Sequence, residues 1–352
     1  MKPAANDWEV GGDFPLSGLP RGRYLPWPRP SRWFALARHA VTALAESRLH
    51  GTLWVPDYFC ADVALHWRAC MRLATYVDDP LRAEPDWSTL KARTGDAVLA
   101  MNYFGSRTAD PWSDWRRKHK TLLIEDHTHD PFSPWAKTSQ ADFAFASVRK
   151  LLPVPDGAIL WSPRRLSLPP QPAAPPPNAA ARSEPITKFA GMALKREYLS
   201  HPSSQLKQNY RRLLQQGELD LIRARVRAPS AYSAHYREAG YPAAWRTRRG
   251  QNAAALRAHS HLWPQIESVT ANWPTGAAPF GYVIRLKDHA AQARCRRYLE
   301  QHNVYCPIHW PQDRRSSRRA RELAATLLTI PLDHRYRKND MLAVARLLAR
   351  FR

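Results

Sequence analysis

The chain has 352 residues, 44% of them hydrophobic, enough for a large core plus a smaller companion unit. Its 31 prolines make it proline-rich, but the apolar content and 14 tryptophans exclude wholesale disorder. A net charge of +23 favours polyanions or phosphate-bearing ligands. The basic residues are scattered along the whole length, however, and no helix-turn-helix, RNA-recognition or zinc-finger pattern accompanies them, so nucleic acid is not the expected primary partner.

The four cysteines, Cys60, Cys70, Cys295 and Cys306, form no CxxC pair, which argues against both a zinc site and a disulfide framework. The first residues lack the apolar stretch of a signal peptide, and no apolar run is long enough to span a bilayer. These features point to a reduced, cytoplasmic location.

In chain order, residues 32–48 place apolar side chains at helical spacing after Ser31, a plausible N-cap. GTLWVPDYFC follows as a strand feeding a loop, residues 60–72 read as a helix, and MRLATYVDD as the next strand. DAVLAMNYFG (96–105) is a buried strand ending in glycine, DPWSDWRRKHK an amphipathic helix, and TLLIED (121–126) a further strand. ADFAFAS (141–147) and GAILWS (157–162) complete this series.

Residues 166–185 are low-complexity and proline-rich, hence a loop or linker, and 186–263 carry helix formers throughout. The C-terminal part changes character: FGYVIRL (280–286) and NVYCPIHW read as strands around the helix AAQARCRRYLEQ, and LLTIPL leads to a closing helix. The expected division is a large α/β unit over 1–265 and a small α+β unit over 266–352.

Strands alternating with helices predict a largely parallel sheet, whose ligand site lies off the carboxyl ends of the strands. Tyr58, Tyr103, Asp126 and Ser147 all fall at or just past such ends. Asp126 follows the apolar run LLI, and a carboxylate buried there needs a cationic partner. Lys150 comes 24 residues later, flanked by apolar residues and a proline-glycine turn. A lysine held near a low-polarity pocket loses its proton readily and becomes a nucleophile toward carbonyl groups. Each residue alone reads as an ordinary strand-end acid or surface lysine; their order and strand-end placement together make a candidate site. His127 and His129 flanking Thr128 also allow a metal reading, which needs further ligands that no downstream motif supplies.

Five segments in order carry a resemblance: VPDYFC, AMNYFG, LLIEDHTHD, FAFASVRKLLPVPDGAIL and LLTIPLDHRYRKNDM. They are similar to the corresponding segments of the DegT/DnrJ/EryC1/StrS family of pyridoxal-phosphate (PLP)-dependent sugar aminotransferases. The resemblance covers nearly the whole chain. It implies the aspartate-aminotransferase-like fold type I, a large mostly parallel sheet flanked by helices plus a small C-terminal α+β domain. It also implies a homodimer and an amino donor that serves a keto substrate, such as a nucleotide-linked sugar.

Carried onto this sequence, Lys150 is the lysine that holds the cofactor and shuttles a proton, and Asp126 is the partner of the pyridine nitrogen. His129 belongs near the cofactor's phenolic oxygen, and Tyr58 or Phe59 on the ring face. Ser147 and the Ser31-Arg32 helix start are candidates for the phosphate, since a helix N-terminus offers free N–H groups to an anion. Tyr103, His309 and Tyr336 are candidates for the substrate side.

The chain departs from the family in two places that bear on the phosphate. It has Ser31-Arg32-Trp33 where Ser-Gly-Thr is usual, and Phe145 where a serine five before the lysine is usual. The region after the lysine is replaced by the proline-rich stretch and helices, so the substrate is not legible. Another PLP reaction, that of a dehydratase, lyase or racemase, and a non-catalytic relative stand as alternatives.

Overall fold

A computed structural model describes residues 8–173, 185–270 and 272–351. Seven strands form the main sheet: β1 (Ser31–Phe34), β2 (Leu53–Pro56), β3 (Leu73–Tyr76), β4 (Ala97–Met101), β5 (Leu122–Asp126), β6 (Phe143–Ala146) and β7 (Ala158–Trp161). Their order is β1-β7-β6-β5-β4-β2-β3. The pairs from β6 through β3 are parallel, and β7 runs against both its neighbours.

The strands AVLAM, FAFA and AILW are buried at every residue, as a sheet covered on both faces requires. Successive side chains divide between the faces. Ala97, Leu99 and Met101 join one apolar cluster with Phe34, Val41, Val55 and Phe145, while Val98 and Ala100 join Trp112, Trp115 and Trp135 on the other side. Helices α1 (Ala37–Arg48), α2 (Ala61–Arg68), α3 (Asp110–Lys118) and α4 (Pro134–Thr138) supply the cover.

One boundary differs from the sequence reading and matters for the site. Ser31 does not cap a helix: Ser31 and Arg32 lie in β1, paired with Trp161 and Leu160 of β7. The helix begins six residues later, at Ala37 after an N-cap Leu36 that offers no side-chain acceptor. The first described part of the proline-rich stretch runs beside β1, where Gln171 bonds the backbone N–H and C=O of Trp33. Residues 174–184 of that stretch lie outside the described residues.

A helical hairpin follows, α5 (Pro185–Ser200) and α6 (Ser204–Arg223), the second capped by Ser203, which accepts from the Leu206 N–H. Helices α7 (Ala231–Ala239) and α8 (Ala243–Ala258) lead to an antiparallel sheet of β8 (Glu267–Ser268), β9 (Gly281–Arg285) and β10 (Leu327–Pro331). Helices α9 (His289–Gln301), α10 (Arg318–Ala324) and α11 (Lys338–Arg350) complete the chain. Within NVYCPIHW only Val304–Tyr305 is strand, paired in parallel with Val10–Gly11. Val10, Ala253, Leu256 and Trp263 share one apolar cluster with Ile284, Leu299, Leu328 and Met341. By packing, α8 and the N-terminal segment therefore side with the C-terminal unit. Among the described residues no helix is long and apolar enough to cross a membrane.

Candidate active site

The carboxyl ends of β2, β4, β5 and β6 come together: Asp126 ends β5, and the loops leaving the others carry Tyr58, Tyr103 and Ser147. Lys150 ends a short 3-10 turn, Val148–Lys150, held by Val148 N–H to Gly157 O at 3.1 Å and Lys150 N–H to Ser147 O at 3.2 Å. Gly157 at φ 127° is required there, because a Cβ would stand 2.8 Å from Val148 Cγ2.

Lys150 lines a cavity of about 920 Å³ together with Phe280, His309, Thr329, Arg149, Lys188 and Glu218. Burial is the main force holding the Lys150 ammonium below its usual pKa. Arg149 adds to that, while Glu218 and Cys60 oppose it. The amine is thus inclined toward its neutral, nucleophilic form.

Asp126, 5% exposed at the end of β5, is pushed up from the usual carboxylate range, by burial first. It accepts the Thr128 N–H at 2.8 Å, and Thr128 Oγ1 accepts the Ser147 N–H at 3.1 Å, which ties the ends of β5 and β6 together. The Coulombic pull of Lys150 is among the forces on Asp126. A buried carboxylate with so few donors is suited to a cationic partner.

His129 Nδ1 accepts the Phe104 N–H at 2.9 Å, and its ring is stacked on Phe280 at 4.5 Å and Phe104 at 5.3 Å. Burial holds this imidazole well below its usual pKa. A neutral ring accepting at Nδ1 carries its proton on Nε2 and is a donor there. Phe104 itself sits at φ 55°, fixed by His129 on its N–H and by Phe280 N–H on its carbonyl at 2.7 Å. His309 lines the cavity, bonds Thr329 Oγ1 through Nδ1 at 3.0 Å and is lowered to about 3 by burial, then by Lys150.

The remaining predicted residues occupy different places. Tyr58 donates to His309 O, and Tyr103 donates to Tyr58 O at 2.7 Å and Asp78 O at 3.1 Å; both lie in the main core. Phe59 stacks on Trp67 at 5.4 Å. None of the three lines the cavity, nor do Asp126, His129 and Ser147, whereas Phe280, which sequence reasoning did not single out, does. Tyr336 accepts the Gly11 N–H at 2.6 Å at the cavity's edge, beside Gly11 and Arg335. Ser31 and Arg32 are absent from the lining, and Arg32 bonds Pro169 O instead. The Asp126–Asp130 side chains diverge: His127 bonds Glu125, His129 bonds Phe104, and Asp130 pairs with Arg246. Among the described residues no three or more His, Cys, Asp or Glu are grouped to hold a metal.

Sequence reasoning also missed Glu218, Arg149 and Arg38. Arg149 donates to Glu218 through both terminal nitrogens, at 2.7 and 2.8 Å, and Lys188 pairs with the same carboxylate. Arg38, in the first turn of α1, is buried, and its Nη1 has no hydrogen-bond partner among the described residues. Only a helix start placed at Leu36 rather than Ser31 draws attention to it.

No family model matches the sequence, and no curated protein matches it. Solved structures do. A DegT DnrJ EryC1 StrS aminotransferase from Brucella abortus shares 11% identity at a TM-score of 0.54, covering 90% of this chain and 84% of its own. DesI, solved in the presence of its TDP-sugar product, shares 16% at 0.54, covering 91% and 80%. NtdA from Bacillus subtilis, with bound cofactor PMP, shares 10% at 0.55, covering 91% and 72%. The chain therefore has the fold of the type I PLP-dependent transferases, a mixed, mostly parallel sheet flanked by helices with a smaller α+β unit.

Proposed function

We propose that the protein is a PLP-dependent aminotransferase acting on a keto sugar, carried on a nucleotide or phosphate, and that it works as a cytoplasmic homodimer. The observation that carries this reading is Lys150, a half-buried lysine of lowered pKa on the wall of a large cavity that His309 also lines, with the buried Asp126 and His129 behind that wall and under the influence of its charge. Among the solved structures of the same fold, one is an aminotransferase, one was solved with a TDP-sugar product and one with bound PMP.

The residues present fit the cofactor. Asp126 is a buried acid short of a cationic partner, which a pyridinium supplies. His129 offers an Nε2 donor, and Phe280 is an aromatic face on the cavity wall. The start of α1 has no capping side chain and no acid in its first turn, leaving N–H groups for an anion. When bound, pyridoxal phosphate supplies the electron sink that stabilises a carbanion next to the transferred nitrogen.

Lys150 is the attachment point, and its Nζ takes the proton from the donor's α-carbon and returns it on the other side of the reaction. Its lowered pKa enlarges the neutral, reactive fraction of the amine. Asp126 holds positive charge on the ring, and the buried, neutral His129 and His309 add none. Lys207, Arg211, Arg296 and Arg335 on the cavity wall suit a phosphate-bearing substrate.

The test is the absorbance spectrum of purified protein supplied with PLP, followed by borohydride reduction. A near-visible band, fixed by reduction to a peptide containing Lys150 and lost in Lys150→Ala, is the expected result. Colourless protein, or an unchanged band in Lys150→Ala, rules the proposal out. Bleaching of the band by an amino donor, with recovery on adding a keto sugar, identifies transamination.

A further inference from the structure

The cavity wall carries four lysines, Lys150, Lys188, Lys195 and Lys207, and three of them are held by a partner that lines the same cavity. Lys195, 2% exposed, pairs with Glu9 at 2.9 Å and lies over the Tyr210 ring at 5.8 Å. Lys188, also buried, pairs with Glu218. Lys207 donates to the Tyr305 hydroxyl at 2.8 Å and faces the Tyr198 and Tyr305 rings at 5.6 and 5.3 Å. Lys150 is the exception: its Nζ makes neither a hydrogen bond nor an ion pair among the described residues.

That difference decides reactivity. An amine attacks a carbonyl carbon through its lone pair, which an ammonium lacks. A carboxylate beside a buried ammonium favours the charged form and offsets the desolvation that would strip its proton. For Lys195, burial and then Arg335 disfavour the charge, while Glu9, by its charge and its hydrogen bond, and Asp13 favour it. The two acids are themselves held in place. Glu218 is gripped by both terminal nitrogens of Arg149. Glu9 precedes a segment whose Gly11 N–H bonds Tyr336 at 2.6 Å and whose Gly12 and Asp13 carbonyls each accept from Arg335 at 3.0 Å.

We propose that Glu9 and Glu218 are selectivity-determining residues: by keeping Lys195 and Lys188 charged, they leave Lys150 as the amine of the wall that condenses with carbonyl compounds. That those compounds are a cofactor and a keto substrate rests on the aminotransferase reading; the guarding of the lysines does not. In the condensation a C=N bond forms, and the carbonyl oxygen leaves as water with both protons of a neutral amine. Every neutral lysine in a cavity that admits an aldehyde is therefore a competing site.

The experiment labels the cofactor-free full chain with trace acetic anhydride over a pH series and reads each lysine by peptide mass spectrometry. A second arm adds PLP, reduces with borohydride and counts pyridoxyl groups. In the unsubstituted protein, Lys150 is acetylated about tenfold or more faster than Lys188 or Lys195 near neutral pH, the ratio of one pKa unit, and reduction fixes one pyridoxyl group, on Lys150. In Glu9→Gln the titration midpoint of Lys195 moves down, because burial and Arg335 remain while the carboxylate is gone, and Lys195 becomes a second pyridoxyl site. Glu218→Gln does the same for Lys188, so a failure of one variant to fold leaves the other to decide. Mere loosening of the N-terminal segment gives the opposite sign, a Lys195 midpoint rising toward the ordinary lysine value as water reaches it. A midpoint unchanged or raised in either folded variant overturns the proposal, as does equal labelling of Lys150, Lys188 and Lys195 in the unsubstituted protein. The expected acetylation pattern in a protein that takes up no PLP upholds the guarding acids and removes the aminotransferase reading instead.

Discussion

Arg149 and Glu218 are joined by two hydrogen bonds, at 2.7 and 2.8 Å, across 69 residues of chain. The pair fastens α6 to the turn that carries Lys150, and Lys188 of α5 closes on the same carboxylate. Burial pushes the Glu218 carboxyl up, but the two cations overcome it and hold the group far below its usual pKa, Arg149 contributing more than Lys188.

Removing Glu218 leaves the buried Lys188 and the half-buried Arg149 without their carboxylate. Glu218→Ala is expected to destabilise the protein by about 3 kcal/mol, toward the low end for a broken buried pair because Glu218 keeps some exposure. Lys150 loses an influence that raises its pKa, so the pH at which its amine titrates moves down. Urea unfolding checks the first effect and the pH dependence of borohydride trapping checks the second. The double variant Glu218→Ala with Lys188→Met should recover part of the stability, since it removes one stranded charge.

The hairpin that delivers Glu218 and Lys188 depends on a close approach. A Cβ on Gly217 would stand 2.5 Å from the Lys188 nitrogen and 2.7 Å from its Cα, both backbone atoms that cannot step aside. Gly217→Ala is therefore expected to cost about 2 kcal/mol through overpacking, despite the better helix propensity of alanine. Gly250, in α8, meets nothing within 4 Å, so Gly250→Ala should instead stabilise by up to about 1 kcal/mol. Thermal unfolding of the two variants, with opposite signs, checks the contrast.

Six of the main sheet's seven strands were legible because they are short apolar runs closed by turn residues, and Asp126 and Ser147 sit where such runs end. The start of α1 was not. Ser31 has the chemistry of an N-cap but pairs in β1, while the true N-cap, Leu36, has a side chain that signals nothing. Residues meeting the site from distant elements were also hidden. Glu218 reads as one charge on an amphipathic helix, and Phe280 as the first residue of a strand. Only tertiary packing brings them to the wall that Lys150 shares. Tyr58 and Phe59 illustrate the converse: a loop position near the site, with side chains turned into the core beside Trp67 and Trp310.

Asp130 links the loop after β5 to α8. It is fully buried, pairs with Arg246 at 2.8 Å and Arg249 at 3.1 Å, and accepts the Ala278 N–H at 3.3 Å. The same loop carries His129, whose ring packs on Phe280, two residues beyond Ala278. Asp130→Ala leaves Arg249 buried without its carboxylate and should cost about 3–5 kcal/mol. If the aminotransferase reading holds, PLP also dissociates faster from this variant, because His129 loses its support. Denaturant titration and cofactor release by gel filtration measure the two.

Stability should fall on mild acidification, through histidines buried in their neutral form. Burial lowers His39 and His309 to about 3 and His334 to about 4, against an ordinary value near 6.5. As pH drops below that value the unfolded chain takes up protons that the folded chain refuses. The contribution of each group is therefore complete above about 6.5 and is lost progressively down to its folded pKa. At pH 5 each histidine has cost about 2 kcal/mol. Carboxylates held low in the fold, Asp333 and Glu218 among them, act in the same direction but at lower pH. His39 separates the two contributions, since it is fully buried in α1, bonded to Ala224 O at 3.1 Å, and its charged form is opposed by burial and then by His66, Arg227 and Arg38. Between pH 6 and pH 4.5, His39→Leu should flatten the fall in unfolding free energy by about 1.4 kcal/mol per pH unit, one proton's worth. An identical slope in the variant would mean that His39 is protonated in the folded protein.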